Sequence, residues 1–246
     1  MDLIDELLKT LPDGEILDVR IGLHWTIVVA KVNGKIQCGL ASTLSGDHDH
    51  HKDPDVPEAG NMTTLSGRTL AGFSYSPQYP RSSIGFAAIN ALMPRDPDSW
   101  REDNAEEVIA MHGKDKKVVM VGRFPFAQNL HSRVKELLVI EQNPGPGEFP
   151  AESAPGILPQ ADVVAITGMT LLNHTLENLL KLCNCKAFVI LLGPSTPLSP
   201  LFFDYGVDVL SGSIVEDIPA VVRMVSQGGN FHQIRQAGVK LVNIHR

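Results

Sequence analysis

The sequence predicts an α/β protein of two domains, a small α+β domain at residues 1–113 and a Rossmann-like domain with a mainly parallel sheet at residues 114–246. Three features of the sequence indicate this division. Strand-like runs precede helix-like runs in the first half, which is the order of an α+β domain. The second half repeats short runs that are apolar on both faces, as in a parallel sheet covered by helices. The polar stretch GKDKK separates the two halves.

The first half is predicted to begin with a helix and to continue as an antiparallel hairpin. Apolar residues recur at helical spacing from Leu3 to Leu11, and Pro12 ends that helix. Asn33-Gly34 joins the β-rich runs HWTIVVAKV and KIQCGLA. Because both residues accept a positive φ, this pair predicts a type I′ turn. Two further helices are expected, in SSIGFAAINALM and DNAEEVIAMH.

From Lys117 onward, apolar runs alternate with helical or turn-rich segments. The runs are KVVMVG, ELLVIE, DVVAITG, AFVILLGPS, VDVLSG and KLVNI. Crossovers of this length favour a doubly wound parallel sheet. Residues 144–156 are too rich in proline and glycine for a regular crossover helix, so a loop with at most a short helix is expected there.

Composition and charge argue against several classes of protein. A formal net charge of -7 opposes binding to nucleic acid, which requires clustered lysine and arginine. No apolar run approaches the roughly 18 to 20 residues that cross a bilayer, so no membrane partner is expected. The acidic start resembles neither a signal peptide nor a transit peptide, and three cysteines form no disulfide framework. A cytoplasmic protein is therefore expected, and a homo-oligomer stays open.

In an open parallel sheet, ligands bind beyond the carboxyl ends of the strands, where helix N-termini attract anions. Gly122 follows the first predicted strand, where a dinucleotide fingerprint would lie, but it is one glycine instead of three. Glu141 ends the second strand, at the place where an acidic residue would hold a ribose. The alternative for Glu141 is a solvated or loop-capping carboxylate.

Two other strand ends carry polar groups. In TGMTLLNHTLENLL, Thr170 is predicted to cap a helix, which would place Asn173 and His174 in its first turn beside the strand ends. In GPSTP, the hydroxyls of Ser195 and Thr196 could bind a carboxylate or a phosphate. The alternatives are purely structural, with Thr170 only capping, His174 bonding the backbone, and GPSTP forming an ordinary turn.

Candidate metal ligands are concentrated in GDHDHHKDPD, residues 46–55. His48, His50 and His51 are weak candidates for binding a transition metal together with the neighbouring aspartates. The loop has no apolar shell to hold ligands in place, so a solvated loop is the favoured interpretation. The sequence does not decide whether residues 47–53 are ordered. Cys183 and Cys185 supply two thiolates, which do not complete a metal site.

These segments resemble a bacterial and archaeal family described as "putative heavy-metal chelation" proteins. The most specific motifs are T-G-x-T-L-x-N-x-T and G-P-S-T-P, and the resemblance spans nearly the whole chain. Further motifs are RIGLHWTIV, CGLA, GFAAINAL, VGRFPF, ADVVAITGMTLLNHTLENLL, LLGPSTPLSP and GVDVLSG. The resemblance implies an enolase-N-terminal-like domain joined to a Rossmann-like domain. It also implies a ligand site between them, with a role in handling a metal or a metal-bearing small molecule.

The resemblance and the strand-end analysis together give a candidate site. Asn173 and His174 would orient or coordinate the reactive part of the ligand, as catalytic residues if there is a reaction. The ligand-binding candidates are Gly122, Phe124, Pro125, Thr167, Thr170, Gly193, Ser195, Thr196, Asn90 and Glu141. His24 and Cys38 are weaker additions. A structural histidine is the alternative for His24, and a helix C-cap is the alternative for Asn90.

Three functions follow as hypotheses. The leading one is the binding of a small anionic or metal-chelating ligand between the domains, for heavy-metal chelation or metal-cofactor handling, with catalysis left open. The second is an enzyme that uses a nucleotide or S-adenosylmethionine, because Glu141 follows Gly122 at a suitable distance. The third is a non-catalytic metal-buffering protein that uses the His/Asp loop. The cofactor is unknown, with a transition metal as the candidate.

Overall fold

The computed structural model describes residues 3–45 and 54–246, so the candidate ligands His48, His50 and His51 lie outside the described residues. The described residues form a three-stranded antiparallel sheet and a seven-stranded, mostly parallel sheet. The expected α/β fold with a small antiparallel sheet and a larger, mainly parallel one is therefore confirmed. The division of domains at residues 113 and 114 stays a prediction.

The smaller sheet contains β1 (Glu15–Ile21), β2 (Trp25–Val32) and β3 (Lys35–Ser42), in that order. Asn33 and Gly34 join β2 to β3 with φ values of 48° and 80°. Both values are positive, as the predicted hairpin turn requires. The helices that belong to the same part of the chain are α1 (Leu3–Thr10), α2 (Gly67–Ala71) and α3 (Tyr79–Leu92).

Helix α3 is buried along most of its length because its sequence, YPRSSIGFAAINAL, offers small or apolar side chains on every side. Glycines allow its backbone to touch neighbouring backbone directly. A Cβ atom on Gly39 of β3 would lie 2.1 Å from the carbonyl oxygen of Ala87, and one on Gly85 would lie 2.0 Å from the amide nitrogen of Ser74. Near its start, Ser82 donates a hydrogen bond to the carbonyl of Leu172 at 2.8 Å.

The strands of the larger sheet are β4 (Lys117–Val121), β5 (Glu136–Glu141), β6 (Phe149–Pro150), β7 (Val163–Thr167), β8 (Phe188–Leu192), β9 (Val209–Val215) and β10 (Val239–His245). Their order is β10-β9-β8-β7-β4-β5-β6, and β10 pairs antiparallel with β9. The chain builds β5 and β6 on one side of β4 and then β7, β8 and β9 on the other. The carboxyl ends of β4 and β7 thus meet where the direction of winding reverses, which is where doubly wound sheets bind ligands.

Short helices and turns connect these strands. The helices are α4 (Ala105–Gly113), α5 (Ala127–Leu130), α6 (Ala154–Ile157), α7 (Met169–Leu172), α8 (Leu176–Leu182), α9 (Ile218–Ser226) and α10 (Phe231–Gln236). Single 3₁₀ turns occur at Met62–Thr64, Gly72–Tyr75, Pro97–Ser99, Ala151–Ser153, Leu158–Gln160 and Pro200–Tyr205. No helix in the described ranges has the length and apolarity to span a bilayer.

The crossover between β5 and β7 contains only short elements, as the proline-rich sequence of residues 144–156 predicts. Helix α4, which precedes β4 along the chain, packs on the larger sheet: Val108 and Ile109 share an apolar cluster with Val118 and Met120. The segment between α3 and α4 therefore carries the chain from the smaller sheet to the larger one.

Candidate functional site

Hydrogen bonds hold the turn after β8 against the smaller sheet. Ser195 is 2% exposed; its Oγ accepts from the amide of Ser42 at 2.9 Å and donates to the Ser42 hydroxyl at 3.2 Å. Asn90, near the end of α3, donates through Nδ2 to the carbonyls of Leu40 at 2.8 Å and Ser195 at 3.2 Å. We call these contacts among Leu40, Ser42, Asn90 and Ser195 the Ser195 clasp. Because the Ser195 hydroxyl is used in hydrogen bonds with Ser42 of β3, Ser195 connects the turn after β8 to the smaller sheet.

The neighbouring hydroxyl, that of Thr196, is not engaged. Thr196 is 2% exposed, and its Oγ1 has no hydrogen-bond partner among the described residues. A Cβ atom on Gly168 would lie 2.6 Å from this oxygen, so only a glycine leaves it room beside the start of α7. A buried hydroxyl without a partner costs about 1–3 kcal/mol. A ligand atom or a water that reached Thr196 would recover part of that cost.

A hollow lies between the end of α3 and the carboxyl edge of the larger sheet. Its lining includes Asn90, Arg95, Trp100, Thr196 and Ser213, and we call it the Arg95 hollow. It measures about 20 Å³, which is room for roughly one water molecule. The hollow brings together two candidates, Asn90 and Thr196, with an arginine and a tryptophan that the sequence analysis did not single out.

Arg95 gives this hollow a positive charge. Its guanidinium donates to the carbonyl of Cys38 at 3.2 Å, and none of the salt bridges among the described residues involves it. Burial lowers the pKa of Arg95 from its ordinary value, but an arginine stays charged in proteins. A partly buried guanidinium without a carboxylate partner favours the binding of an anion.

The segment TGMTLLNHTLENLL forms two helices, so the predicted single helix capped by Thr170 is wrong. Gly168 is the N-cap of α7, and the Thr170 hydroxyl donates to the carbonyl of Thr167 at 2.7 Å. Asn173 ends α7; its Oδ1 accepts from the Thr175 hydroxyl at 2.7 Å. Such local side-chain bonds compete with helix continuation. His174 follows with a left-handed φ of 59°.

As a consequence, the predicted site residues divide between two places. The turns after β7 and β8 do pack together, since the amide of Gly168 donates to the carbonyl of Leu192 at 2.8 Å. However, Thr170 and His174 line a second hollow beside α1, whereas Thr196 lines the Arg95 hollow. His174 is exposed, and its Nε2 lies 3.0 Å from the carbonyl oxygen of Ser76.

The other strand-end candidates lie along the same edge. Gly122 and Gly193 have φ values of 105° and 123°, which disfavour any residue with a Cβ atom. A Cβ atom on Gly122 would also lie 2.7 Å from the methyl carbon of Thr167, so this glycine serves close packing. Phe124 is half-buried and stacks on Phe126 at 5.5 Å between ring centroids, and Pro125 between them is exposed.

The helices that begin at this edge are shorter than the anion-binding prediction requires. Helices α5 and α7 have 4 residues each, and the GPSTP turn leads into a 3₁₀ segment, Pro200–Tyr205. A helix dipole accumulates over several aligned turns, so these elements offer little of it. These short helices give little support to the expectation that helix N-termini hold the anion, which stays a prediction.

The loops that follow β4 and β5 are joined by an ion pair. Arg123 donates to both carboxylate oxygens of Glu148, at 2.8 Å from Nε, and Glu148 also accepts from the amide of Gly145 at 2.7 Å. Glu141, half-buried at the end of β5, accepts from the amide of Gln142 at 3.1 Å. This contact is the loop-capping role that was the alternative for Glu141, and a ribose-binding role stays a prediction.

The Arg123–Glu148 pair leads to a pH-dependent prediction. The hydrogen bond from Arg123, followed by that from Gly145, lowers the pKa of Glu148 from 4.5 to about 2. A lowered folded-state pKa means that the pair's contribution to stability is complete above pH 4.5 and is lost as the pH falls toward 2. A carbon-13 NMR titration of Glu148 should give a midpoint near 2, and Arg123→Gln should return it toward 4.5. Arg133→Gln is the matched control; an equal change in that variant would contradict the assignment to Arg123.

The remaining candidates lie apart from the hollows or outside the described residues. Cys38 is 2% exposed, and burial raises the pKa of its thiol to about 12, which opposes a reactive thiolate. His24 is exposed, and its backbone carbonyl accepts from the amide of Thr43 at 2.9 Å. Burial raises the pKa of Cys183 to about 11. Within residues 3–45 and 54–246, no group of three or more His, Cys, Asp or Glu side chains is placed to hold a metal ion.

Two family models match the chain, and both are described as "putative heavy-metal chelation". One covers residues 4–93 and the other covers residues 104–243. An uncharacterised protein of Methanocaldococcus jannaschii is 27% identical over 217 residues, which are 84% of this chain and 81% of the archaeal protein.

Two crystal structures of proteins with unknown function, both from the DUF364 family, are similar over nearly the whole chain. The protein from Desulfitobacterium hafniense DCB-2 is 27% identical, with a TM-score of 0.84 over 99% of this chain and 98% of the other. The protein from Pyrococcus horikoshii is 19% identical, with a TM-score of 0.83 over 99% of this chain and 98% of the other. The second likeness concerns the fold alone.

Proposed function

Because this chain belongs to the family described as "putative heavy-metal chelation", we propose that it binds a small, anionic, metal-chelating ligand at the Arg95 hollow. The observation that supports this most directly is the guanidinium of Arg95, partly buried beside Thr196 and without a carboxylate partner among the described residues. In this proposal the ligand carries the metal, and the protein holds the anionic groups of the ligand.

The size of the hollow limits how the ligand sits. Its volume, about 20 Å³, accepts one carboxylate or phosphate oxygen rather than a whole molecule. One anionic group would therefore enter beside Arg95, with the rest of the ligand at the mouth near Trp100. The guanidinium can donate two parallel hydrogen bonds to a carboxylate or a phosphate. Thr196 also lines the hollow, and its buried hydroxyl has no hydrogen-bond partner among the described residues.

Asn90 and Ser195 have a supporting role in this proposal. Their clasp fixes the turn that carries Thr196 against the end of α3, from which the chain continues to Arg95. The position of the hydroxyl relative to the guanidinium therefore depends on the contact between the two sheets. A cytoplasmic location and a homo-oligomer stay predictions from the sequence.

The test is ligand-induced stabilisation with defined probes. Citrate, alone and with Zn²⁺, is expected to raise the melting temperature of the wild-type protein, with stabilisation of about 2.7 kcal/mol at one hundred times Kd. Arg95→Gln should remove most of this shift while folding normally. Arg223→Gln, on the exposed face of α9, makes the same change of charge and should leave the shift intact. An undiminished citrate shift in Arg95→Gln would contradict the proposal.

The same measurement distinguishes the other hypotheses. Stabilisation by ATP or S-adenosylmethionine but not by citrate would favour the nucleotide-using enzyme. The loop after β4 gives that hypothesis little support, because it has one glycine, Gly122, where a dinucleotide fingerprint has three. Loss of Zn²⁺ uptake on deletion of residues 47–53, with citrate binding absent, would favour the metal-buffering protein.

A further inference from the structure

The second hollow, beside α1, is large enough for a small organic molecule. It measures about 180 Å³, and we call it the His174 hollow. Leu3, Leu171 and Leu176, each 2% exposed, form part of an apolar wall. Its described lining residues are all different from those of the Arg95 hollow. A ligand bound here would thus contact a different set of side chains from the ligand proposed above.

The polar side of the His174 hollow carries a negative charge. Glu177 accepts from Lys181 at 2.7 Å and from the amide of Leu3 at 3.5 Å. These contacts, that of Lys181 first, hold the pKa of Glu177 below its ordinary value, so the carboxylate is ionised at neutral pH. Among the described residues that line the hollow there is no lysine or arginine. Glu177 therefore offers a cation a carboxylate that is at present paired with Lys181.

His174 adds a hydrogen-bond acceptor. Its Nε2 lies 3.0 Å from the Ser76 carbonyl oxygen, which can only accept, so Nε2 carries the proton. In the neutral ring, Nδ1 is then an acceptor. The left-handed φ of 59° at His174 is a conformation that residues with a side chain seldom adopt. At this position it closes helix α7, where the amide of Thr175 donates to the carbonyl of Thr170 at 2.9 Å.

We propose that the His174 hollow binds a primary ammonium group carried on a short apolar body. The ammonium would contact the carboxylate of Glu177 in place of Lys181, whose side chain is 66% exposed. The apolar body would cover Leu171 and Leu176. A volume of about 180 Å³ corresponds to roughly six water molecules. A ligand with about five or six non-hydrogen atoms would therefore fill the hollow.

The first test uses methyl-, butyl-, pentyl- and octylammonium chloride in calorimetric titrations with the full chain. Each buried methylene should tighten binding about fourfold. This gain should end near pentylammonium, where the hollow is full. Butanol and butyrate have similar apolar bodies without the positive charge and should bind at least about tenfold more weakly than butylammonium. Equal binding of butanol, or a gain that continues through octylammonium, would overturn the proposal.

The second test assigns the site with variants. Glu177→Gln should weaken butylammonium at least about tenfold. Glu152→Gln, at an exposed position of the β5–β7 crossover, is the matched control and should change nothing. Lys181→Gln removes the competing ammonium and should tighten binding. Affinity that is equal in wild type and Glu177→Gln would exclude this hollow. If citrate still raises the melting temperature of Glu177→Gln, the Arg95 hollow is intact in that variant. The two proposals are then tested independently.

Discussion

Replacement of Gly39 by alanine is expected to destabilise the protein by at least about 3 kcal/mol. The added Cβ would lie 2.1 Å from the Ala87 carbonyl oxygen and 2.1 Å from the Ala91 amide nitrogen. Both atoms belong to the backbone of α3, so no side chain can rotate away, and the whole helix must move off the sheet. Typical domains are stable by only 5–15 kcal/mol. Urea denaturation followed by circular dichroism measures the loss.

Gly72→Ala is the matched control for this prediction. Gly72 has a helical conformation, with φ -60° and ψ -17°, and a Cβ atom there would have no other atom within 4 Å. Its replacement should be neutral or stabilising by up to about 1 kcal/mol, because alanine restricts the unfolded chain. If Gly39→Ala and Gly72→Ala unfolded at the same urea concentration, the close contact between β3 and α3 would be wrong.

Asn90→Asp is expected to cost about 1–3 kcal/mol at neutral pH. The side chain keeps its shape, but the amide that donates to the carbonyls of Leu40 and Ser195 becomes a carboxylate, which cannot donate to either. Both carbonyl oxygens repel the ionised form and raise the pKa of the new carboxyl above its unfolded value, whereas Arg95 in the same hollow lowers it, so the comparison is made in an Arg95→Gln background. The penalty should therefore be small below about pH 4 and grow as the pH rises.

Urea midpoints measured between pH 3 and pH 8 test this prediction. Asn178→Asp introduces the same charge on an exposed position of α8 and is the control for the general effect of pH. The difference in stability between the two variants should widen with rising pH. A constant difference would mean that Asn90 does not donate to these carbonyls. Asn90→Ala, which lacks the charge, should be destabilised by a smaller and pH-independent amount.

The elements that were predicted well from the sequence depend on local signals. The Asn33-Gly34 turn follows from the backbone preferences of two adjacent residues, and the parallel strands follow from runs that are apolar on both faces. The antiparallel pairing of β10 with β9 was not predicted, because it depends on contacts far apart in the sequence. The break after α7 was missed since the spacing of Leu172, Leu176 and Leu179 is the same whether or not the helix is continuous.

The candidate site was predicted in part. Asn90 and Thr196 lie in one hollow, but the use of the Ser195 hydroxyl in a contact between sheets follows from the packing of distant strands. Arg95 was missed because MPRDPD belongs to no periodic pattern and to none of the motifs that carry the family resemblance. The absence of a carboxylate partner for Arg95 among the described residues is a property of the folded chain alone.

Helix α3 mechanically links the two hollows. Near one end Ser82 holds the carbonyl of Leu172, beside the wall of the His174 hollow, and eight residues later Asn90 holds the carbonyl of Ser195, beside the Arg95 hollow. Eight residues of helix form a strut of about 12 Å that neither stretches nor bends easily. A shift of α3 along its axis must displace both attachment points together. An insertion or deletion of one residue between Ser82 and Asn90 would rotate one side chain by about 100° relative to the other. The number of residues between them therefore cannot change without the loss of one of the two contacts.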